Sequence, residues 1–236
     1  MLVAVLVPTY DEGDAPAQVL GELRALAPAL GGLVVYLVDD GGAAAVPLAR
    51  MPAATPEFDV VLARHPVNLG QGAALETARR LALADARHTV FVTMDSDRQH
   101  RVEDLPALVA AVRGGADVVL GDRFAGHSRV PPLRRAVLFG ARLFEFLLTR
   151  LWLSDAHNGY RAFSRRALER IRITQDRMAH ATEIRQLVAR HRRELRIVEV
   201  PVTVHYSREL LAKGQSSLGA IHVLRDLAFR FLFGSR

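Results

Sequence analysis

The chain has 236 residues, of which 50% are apolar and 24% charged, and it has no cysteine. This composition supports a packed core and excludes a disulfide framework, thiolate zinc sites and a cysteine nucleophile. The net charge of +6 is uneven: residues 1–120 carry 9 basic and 15 acidic side chains, and residues 121–236 carry 22 basic and 10 acidic ones. The basic half favours an anionic partner, either substrate phosphates or acidic lipid headgroups. Nucleic acid is not expected as a partner, because the chain shows no nucleic-acid-binding motif.

Residues 1–120 alternate short aliphatic runs with helical patterns. The predicted strands are Leu2–Val7, Leu33–Val38, Val60–Ala63, Val90–Met94 and Asp117–Leu120. The predicted helices between them are Ala15–Leu30, Gln71–Ala86 and Val102–Arg113. The strands are nearly continuous runs of valine and leucine, which is typical of strands covered on both faces. The alternation predicts a mostly parallel α/β sheet, in which ligands bind beyond the carboxyl ends of the strands.

The second half has a mixed pattern. The predicted elements are a short strand and turn at Gly121–Gly126, an apolar helix over 133–153, a loop and short strand at Asp155–Ser164, a helical turn at Arg165–Arg170, a helix at His180–Arg193, a strand at Leu195–Tyr206 and an amphipathic helix at Ser217–Phe233. No linker long enough to separate domains is present. We therefore expect one domain over residues 1–236, with a nucleotide-sugar-binding half (1–120) and an acceptor-side half (121–236).

Two apolar, arginine-bearing helices are predicted around residues 137–153 and 217–233. They either pack in the core or lie against a membrane interface, an integral membrane partner or a second subunit. The chain shows neither a signal peptide nor an uncharged apolar run of about 18 residues. We expect a cytoplasmic protein, either free or peripheral on the cytoplasmic face of the membrane.

Acidic side chains follow three of the predicted strands. They are Asp11 and Glu12, Asp39 and Asp40, and Asp95 and Asp97. Carboxylates gathered at one edge of a sheet repel each other unless a cation or hydrogen-bond donors compensate them. The last pair, with Gln99 two residues further on, suits Mg²⁺ or Mn²⁺ alongside substrate phosphates. The alternative, that acidic residues only end strands and cap helices, stays open for the first two pairs.

Seven short motifs occur in an order that indicates a family. They are Val7–Glu12, Val38–Gly41, Asn68–Ala74, Asp95–His100, Gly121–Phe124, Asp155–Ser164 and Lys213–Ser216. On these motifs the chain resembles family 2 glycosyltransferases with the GT-A fold, within the dolichol- or polyprenyl-phosphate sugar synthase branch. It departs from the family pattern at Asp11, where asparagine is common, and at Gly42–Ala45, where polar residues are common.

The resemblance implies metal-dependent, inverting transfer of a sugar from a UDP- or GDP-linked donor to a polyprenyl-phosphate or glycan acceptor in cell-envelope synthesis. It implies that the metal, Mg²⁺ or Mn²⁺, is held by Asp95, Asp97 and Gln99. The donor-binding residues that it implies are Pro8, Tyr10, Glu12, Asp39, Asp40, Gly70, Gly72, Asp95, Arg123, Arg208 and Lys213. Two roles stay open, because Asp40 could instead support the site from behind, and the two glycines could serve a turn and a helix cap.

On the acceptor side, a hydroxyl acceptor needs a carboxylate that takes its proton, whereas a phosphate acceptor does not. Asp155 is the first candidate for this base and Glu183 the second. With a phosphate acceptor, Asp155 would instead orient the acceptor or stabilise its loop. Asn158 and Arg161 are expected to bind the acceptor, with Arg161 paired to its phosphate if it has one. Two other functions remain open: a sugar nucleotidyltransferase, and a non-catalytic nucleotide-sugar binder or scaffold of a membrane complex. A homo-oligomer is also open.

Overall fold

A computed structural model describes residues 2–126, 154–155 and 158–205, together with Gly140 and Phe146. The strands are β1 (Leu2–Thr9), β2 (Leu33–Asp39), β3 (Phe58–Arg64), β4 (His88–Thr93), β5 (Val118–Asp122), β6 (Arg161–Ser164) and β7 (Ile197–Pro201). The α-helices are α1 (Ala15–Leu26), α2 (Gln71–Ala84), α3 (Leu105–Arg113), α4 (Arg165–Arg170) and α5 (His180–Arg190). Three short 3-10 helices lie at Pro28–Leu30, Leu48–Arg50 and Val102–Asp104.

The strands form one sheet in the order β3-β2-β1-β4-β6-β5-β7. All neighbours are parallel except β6, which runs antiparallel to both β4 and β5. The first residue of β6, Arg161, therefore lies beside Thr93, the last residue of β4, and beside Leu120 of β5. The predicted fold class, a mostly parallel sheet flanked by helices, is confirmed.

The core has two layers because alternate side chains of the strands point to opposite faces. Val3, Val5 and Val7 of β1 pack with α1 and α3 on one face. Ala4 and Leu6 pack with α2, α4 and α5 on the other. Both faces are apolar, which explains why the parallel strands are uninterrupted hydrophobic runs.

Several predicted boundaries shift for local reasons. The helix predicted at Ala15–Leu30 ends at Leu26, because Pro28 lacks an N–H and its ring would clash with the preceding turn. The strand predicted at Asp117–Leu120 begins at Val118 and continues to Asp122, whose Oδ1 accepts hydrogen bonds from the backbone of Phe124 and Ala125 and so makes the turn. The helix predicted at His180–Arg193 ends at Arg190.

The predicted helices over 133–153 and 217–233 lie outside the described residues, apart from Gly140 and Phe146. Arg208 and Lys213, two of the expected donor ligands, also lie outside them. Within the described residues, no helix is long and apolar enough to cross a membrane. The division into a donor half and an acceptor half stays a prediction.

Candidate active site

A cleft of about 710 Å³ opens at the carboxyl edge of the sheet. It brings together ten of the residues predicted for the site: Pro8, Tyr10, Glu12, Asp40, Gly70, Asp95, Asp97, Gln99, Arg123 and Arg161. Five other predicted residues do not line it: Asp39, Gly72, Asp155, Asn158 and Glu183. The cleft has an acidic wall after β4 and a basic wall formed by the end of β5 and the start of β6.

The acidic wall consists of Asp95 and Asp97, with Gln99. The Asp95 Oδ1 atom accepts a hydrogen bond of 2.9 Å from the side-chain amide of Gln71. Asp97 accepts hydrogen bonds from the backbone N–H of Gln99, at 2.9 Å, and from its side-chain amide. Burial raises the pKa of Asp97, and the neighbouring charge of Asp95 raises it further. The two carboxylates thus repel each other in a partly desolvated place, which a cation would relieve.

These residues fit a divalent cation held mainly by substrate. Within the described part of the chain, no group of three or more His, Asp or Glu side chains is arranged to hold a metal. Mg²⁺ and Mn²⁺ in phosphate-transferring sites are commonly held by one or two carboxylates together with phosphate oxygens. Asp95, Asp97 and the amide oxygen of Gln99 offer such a partial set of hard oxygen ligands.

His100 supports the acidic wall from behind and was not predicted. Its Nδ1 accepts a hydrogen bond of 3.1 Å from the backbone N–H of Asp95, so in the neutral ring Nε2 carries the hydrogen. Nε2 lies 3.1 Å from the side-chain oxygen of Asn158, which also accepts the backbone N–H of Tyr160. The imidazole stacks on Tyr160 with 4.9 Å between ring centroids. Asn158, predicted to bind the acceptor, here orients His100. The only sequence signal was the position of His100 as the last residue of the Asp95–His100 motif.

The basic wall contains two buried arginines in different situations. Arg123 pairs with Asp155, whose Oδ2 accepts the Arg123 Nε at 2.5 Å and the Arg123 backbone N–H at 3.2 Å. Arg161 is 3% exposed, and no described residue accepts a hydrogen bond from its guanidinium. Burial, together with the charge of Arg185, lowers the pKa of Arg161 to about 10. Arg161 therefore keeps its charge at neutral pH, and its donors are available to an anion in the cleft.

The two carboxylates predicted as catalytic bases are engaged elsewhere. Asp155 lies behind Arg123 as its counter-ion and is not on the cleft wall. Glu183 accepts hydrogen bonds of 2.9 Å from the backbone N–H groups of Thr174 and Gln175, and a third from the Thr174 hydroxyl. A base must reach the proton that it removes. In this structure neither carboxylate lines the cleft, and the role of either residue as the base stays a prediction.

Gly70 and Gly72 are small because another part of the chain crosses them. A Cβ on Gly70 would lie 2.3 Å from the carbonyl oxygen of Asp176, and one on Gly72 would lie 2.0 Å from that of Gln175. The backbone N–H groups of Gly72 and Ala73 donate to Asp176 at 2.7 and 3.2 Å. The turn and helix cap is therefore the alternative that fits Gly70, which is the N-cap of α2 and also lines the cleft, whereas Gly72 lies inside the helix where the crossing segment leaves no room for a side chain.

The two aspartates after β2 have different surroundings. Asp40 accepts hydrogen bonds from His65 and from the backbone N–H groups of Leu69 and Gly70, at 2.7 to 3.0 Å, so it holds the loop before α2. The Oδ2 of Asp39 is buried with no hydrogen-bond partner among the described residues, although Arg64 Nε lies 3.5 Å away. Asp40 thus supports the cleft wall, while the free oxygen of Asp39 is buried beside Arg64 and does not line the cleft, so its contact with a nucleotide stays a prediction.

Comparison with known proteins decides the family. Residues 4–172 match the model of glycosyl transferase family 2. The chain belongs to this family. It is a glycosyltransferase, which decides against a nucleotidyltransferase and against a non-catalytic binder. The resemblance to the dolichol- or polyprenyl-phosphate sugar synthase branch is likewise confirmed by named relatives.

Two of these relatives are bacterial. The chain is 31% identical to a polyprenol monophosphomannose synthase of Mycolicibacterium smegmatis over 84% of this chain and 76% of that protein. It is 30% identical to an undecaprenyl-phosphate mannosyltransferase of Micrococcus luteus over 86% of this chain and 83% of that protein.

Solved structures show the same fold as this glycosyltransferase. A glucosyl-3-phosphoglycerate synthase from Mycobacterium tuberculosis, in complex with Mn²⁺, UDP and phosphoglyceric acid, superposes with a TM-score of 0.61 at 22% identity. The match covers 94% of this chain and 77% of that one. The GT-A fold predicted for this chain is therefore confirmed.

Proposed function

We propose that this glycosyltransferase transfers a sugar from a UDP- or GDP-linked donor to a polyprenyl phosphate in cell-envelope synthesis, with inversion and with Mg²⁺ or Mn²⁺ as cofactor. The observation that carries the proposal is the division of one cleft into an acidic wall and a basic wall. The acidic wall, with Asp95 and Asp97, suits the diphosphate of the donor together with a cation. When bound, the ion would neutralise charge on the departing nucleoside diphosphate.

The basic wall favours a phosphate acceptor over a glycan hydroxyl. Arg161 presents buried donors without a described protein acceptor, and Arg123 lies beside it on the cleft wall. Neither carboxylate predicted as a base lies on the cleft wall. A phosphate oxygen is already ionised and can attack the anomeric carbon without a base. The names of the two bacterial relatives support the same acceptor class.

The role of each wall is tested separately. Calorimetry with UDP and with GDP, with and without Mn²⁺, should show binding that depends on the metal and is lost in Asp97→Asn. Asp59→Asn, which changes an exposed aspartate of β3, is the matched control and should bind as the unchanged protein does. Metal-independent binding of equal strength in both variants would refute the assignment of the acidic wall.

Turnover then tests the acceptor. With a panel of nucleotide sugars, mass spectrometry should detect glycosylated polyprenyl phosphate and no product from the corresponding polyprenol. A protein that glycosylates the alcohol and the phosphate equally well would contradict the proposed acceptor class. Association with the cytoplasmic face of a membrane is part of the same proposal, since the acceptor is a lipid. Anionic liposomes should then sediment the protein.

A further inference from the structure

His180, the first residue of α5, is a buried side chain that the proposed reaction has not yet used. It is 5% exposed and lines the cleft. Its Nδ1 lies 2.8 Å from the backbone carbonyl oxygen of Arg177. Because a carbonyl oxygen can only accept, Nδ1 must carry a hydrogen, and in the neutral ring Nε2 presents a lone pair. No described residue is hydrogen-bonded to Nε2.

The position of this imidazole is fixed by the chain around it. The backbone of Asp176 accepts the N–H groups of Gly72 and Ala73 at the start of α2. A Cβ on Gly72 would lie 2.8 Å from the Cβ of His180, so the two backbones are in close contact. Glu183 holds the backbone at residues 174 and 175. The ring is thus held on a rigid segment, as a residue that selects a ligand must be.

Burial and two neighbouring arginines favour the neutral form of His180. Burial lowers its pKa, and the charges of Arg161 and Arg185 lower it further, against the hydrogen bond to Arg177 and the charge of Asp95, which raise it. A neutral Nε2 can accept a hydrogen bond but cannot donate one. It suits a hydroxyl group and does not suit an ionised phosphate, which needs donors.

The electrostatic neighbours of the ring indicate which hydroxyl this is. His180 interacts with Asp95 of the acidic wall and with Arg161 of the basic wall. His180, Asp95 and Arg161 all line the same cleft, so the ring shares it both with the residue that suits the donor diphosphate and with the residue that suits the acceptor phosphate. Given the proposed function, on which this step rests, the group between them is the transferred sugar.

We propose that His180 is a specificity-determining residue whose Nε2 accepts a hydrogen bond from one hydroxyl group of the donor's sugar. A site built to pair with a substrate hydroxyl discriminates against an analogue that lacks it. The residue thus selects among sugars, whereas Asp95 and Asp97 serve any nucleoside diphosphate.

Two substitutions test the roles of the two ring nitrogens of His180 separately. His180→Asn keeps an N–H near Nδ1 for the Arg177 carbonyl but places nothing at Nε2. His180→Gln reaches the Nε2 position with an amide oxygen and gives up the anchor. Gln186→Ala, an exposed position on the same helix, is the matched control.

Calorimetry in Mn²⁺ measures the affinity of each variant for the nucleoside diphosphate and for the nucleotide sugar that the protein turns over. We expect His180→Asn to weaken binding of the nucleotide sugar by about 3- to 10-fold, with unchanged affinity for the nucleoside diphosphate. His180→Gln should recover part of this loss. A donor that lacks the one hydroxyl group bound by His180 should bind the unchanged protein more weakly than the full donor does, by a similar factor. His180→Asn should bind this monodeoxy donor and the full donor with equal affinity, because the contact is already lost.

Three outcomes would overturn the inference. In His180→Asn, the difference in affinity between the nucleotide sugar and the nucleoside diphosphate could be the same as in the unchanged protein. Alternatively, the affinities for the nucleoside diphosphate and the nucleotide sugar could fall together, which would show a structural role. If the unchanged protein bound no nucleoside diphosphate with Mn²⁺, the proposed function itself would fail, and the inference with it.

Discussion

The two walls of the cleft carry buried or half-buried charge in different ways. On the acidic wall the charges of Asp95 and Asp97 repel each other, and burial together with this repulsion raises the pKa of Asp97. On the basic wall Arg123 has a counter-ion of its own in Asp155, while Arg161 keeps its donors unused by the described residues. The difference teaches that the basic wall is built around an internal ion pair, whereas the acidic wall contains two carboxylates that repel each other. Under the proposed function, a cation from solution relieves that repulsion and an anion pairs with Arg161.

The largest effect on stability is expected from breaking the ion pair between Arg123 and Asp155. Arg123→Met leaves the buried carboxylate of Asp155 without its main compensation, which should lower the free energy of unfolding by about 3–5 kcal/mol. Urea denaturation followed by circular dichroism measures this. The double variant Arg123→Met/Asp155→Leu should recover much of the loss. Unchanged stability in Arg123→Met would show that the basic wall does not rest on this pair.

Arg161 should behave in the opposite way. Arg161→Met removes a buried charge that burial destabilises and that no described residue pairs with, so the free energy of unfolding should rise and not fall. Turnover of polyprenyl phosphate should nevertheless fall by about 10- to 100-fold, because the arginine stabilises the reacting phosphate. Arg172→Met, at an exposed position, is the control. A variant that keeps full turnover would remove Arg161 from the acceptor site.

Glu183 distinguishes a phosphate acceptor from one that needs a base. Glu183→Gln weakens the hydrogen bonds to the backbone of Thr174 and Gln175, and should lower the free energy of unfolding by about 1 kcal/mol. Turnover measured at saturating substrate should stay within a few-fold of the unchanged enzyme. A loss of about 100-fold or more, with normal folding, would restore Glu183 as the general base.

The smallest effect is expected on the stability of the metal-free protein when a charge is removed from the acidic wall. The folded state favours protonated Asp97, so the stability that this group contributes is greatest at low pH and is lost as pH rises through its raised pKa. Asp97→Asn should therefore stabilise the metal-free protein at pH 7, by about 1 kcal/mol, the size of a well-screened interaction between two charges. The gain should vanish at low pH and should be absent in Asp59→Asn. Destabilisation at pH 7 would contradict the repulsion.

The sequence alone was sufficient to predict those features of the fold and the site that depend on residues close together in the chain. The valine and leucine runs predicted the five parallel strands of residues 1–122 within a few residues, and the strand ends placed Asp95, Asp97 and Gln99 at one edge of the sheet. Pro28 was a local signal too, and it shortened α1.

The rest depends on contacts between residues that are distant in the chain. Arg123 and Asp155 are 32 positions apart, and nothing near either residue announces the pair. The segment that crosses Gly72 lies about a hundred residues further on, so small residues there were open to two interpretations. The capping role of Glu183 likewise follows from how residues 174–175 fold back.

The reversed direction of β6 has a geometric consequence. Because this strand runs against its neighbours, its first residue, Arg161, arrives at the edge where the parallel strands end. The four residues of β6 also space β4 from β5 by two inter-strand distances, about 10 Å. The backbone thereby fixes the separation between the acidic wall after β4 and Arg123 after β5. Substitutions of side chains along this gap can therefore change which sugar fits, while the backbone keeps the width of the gap constant.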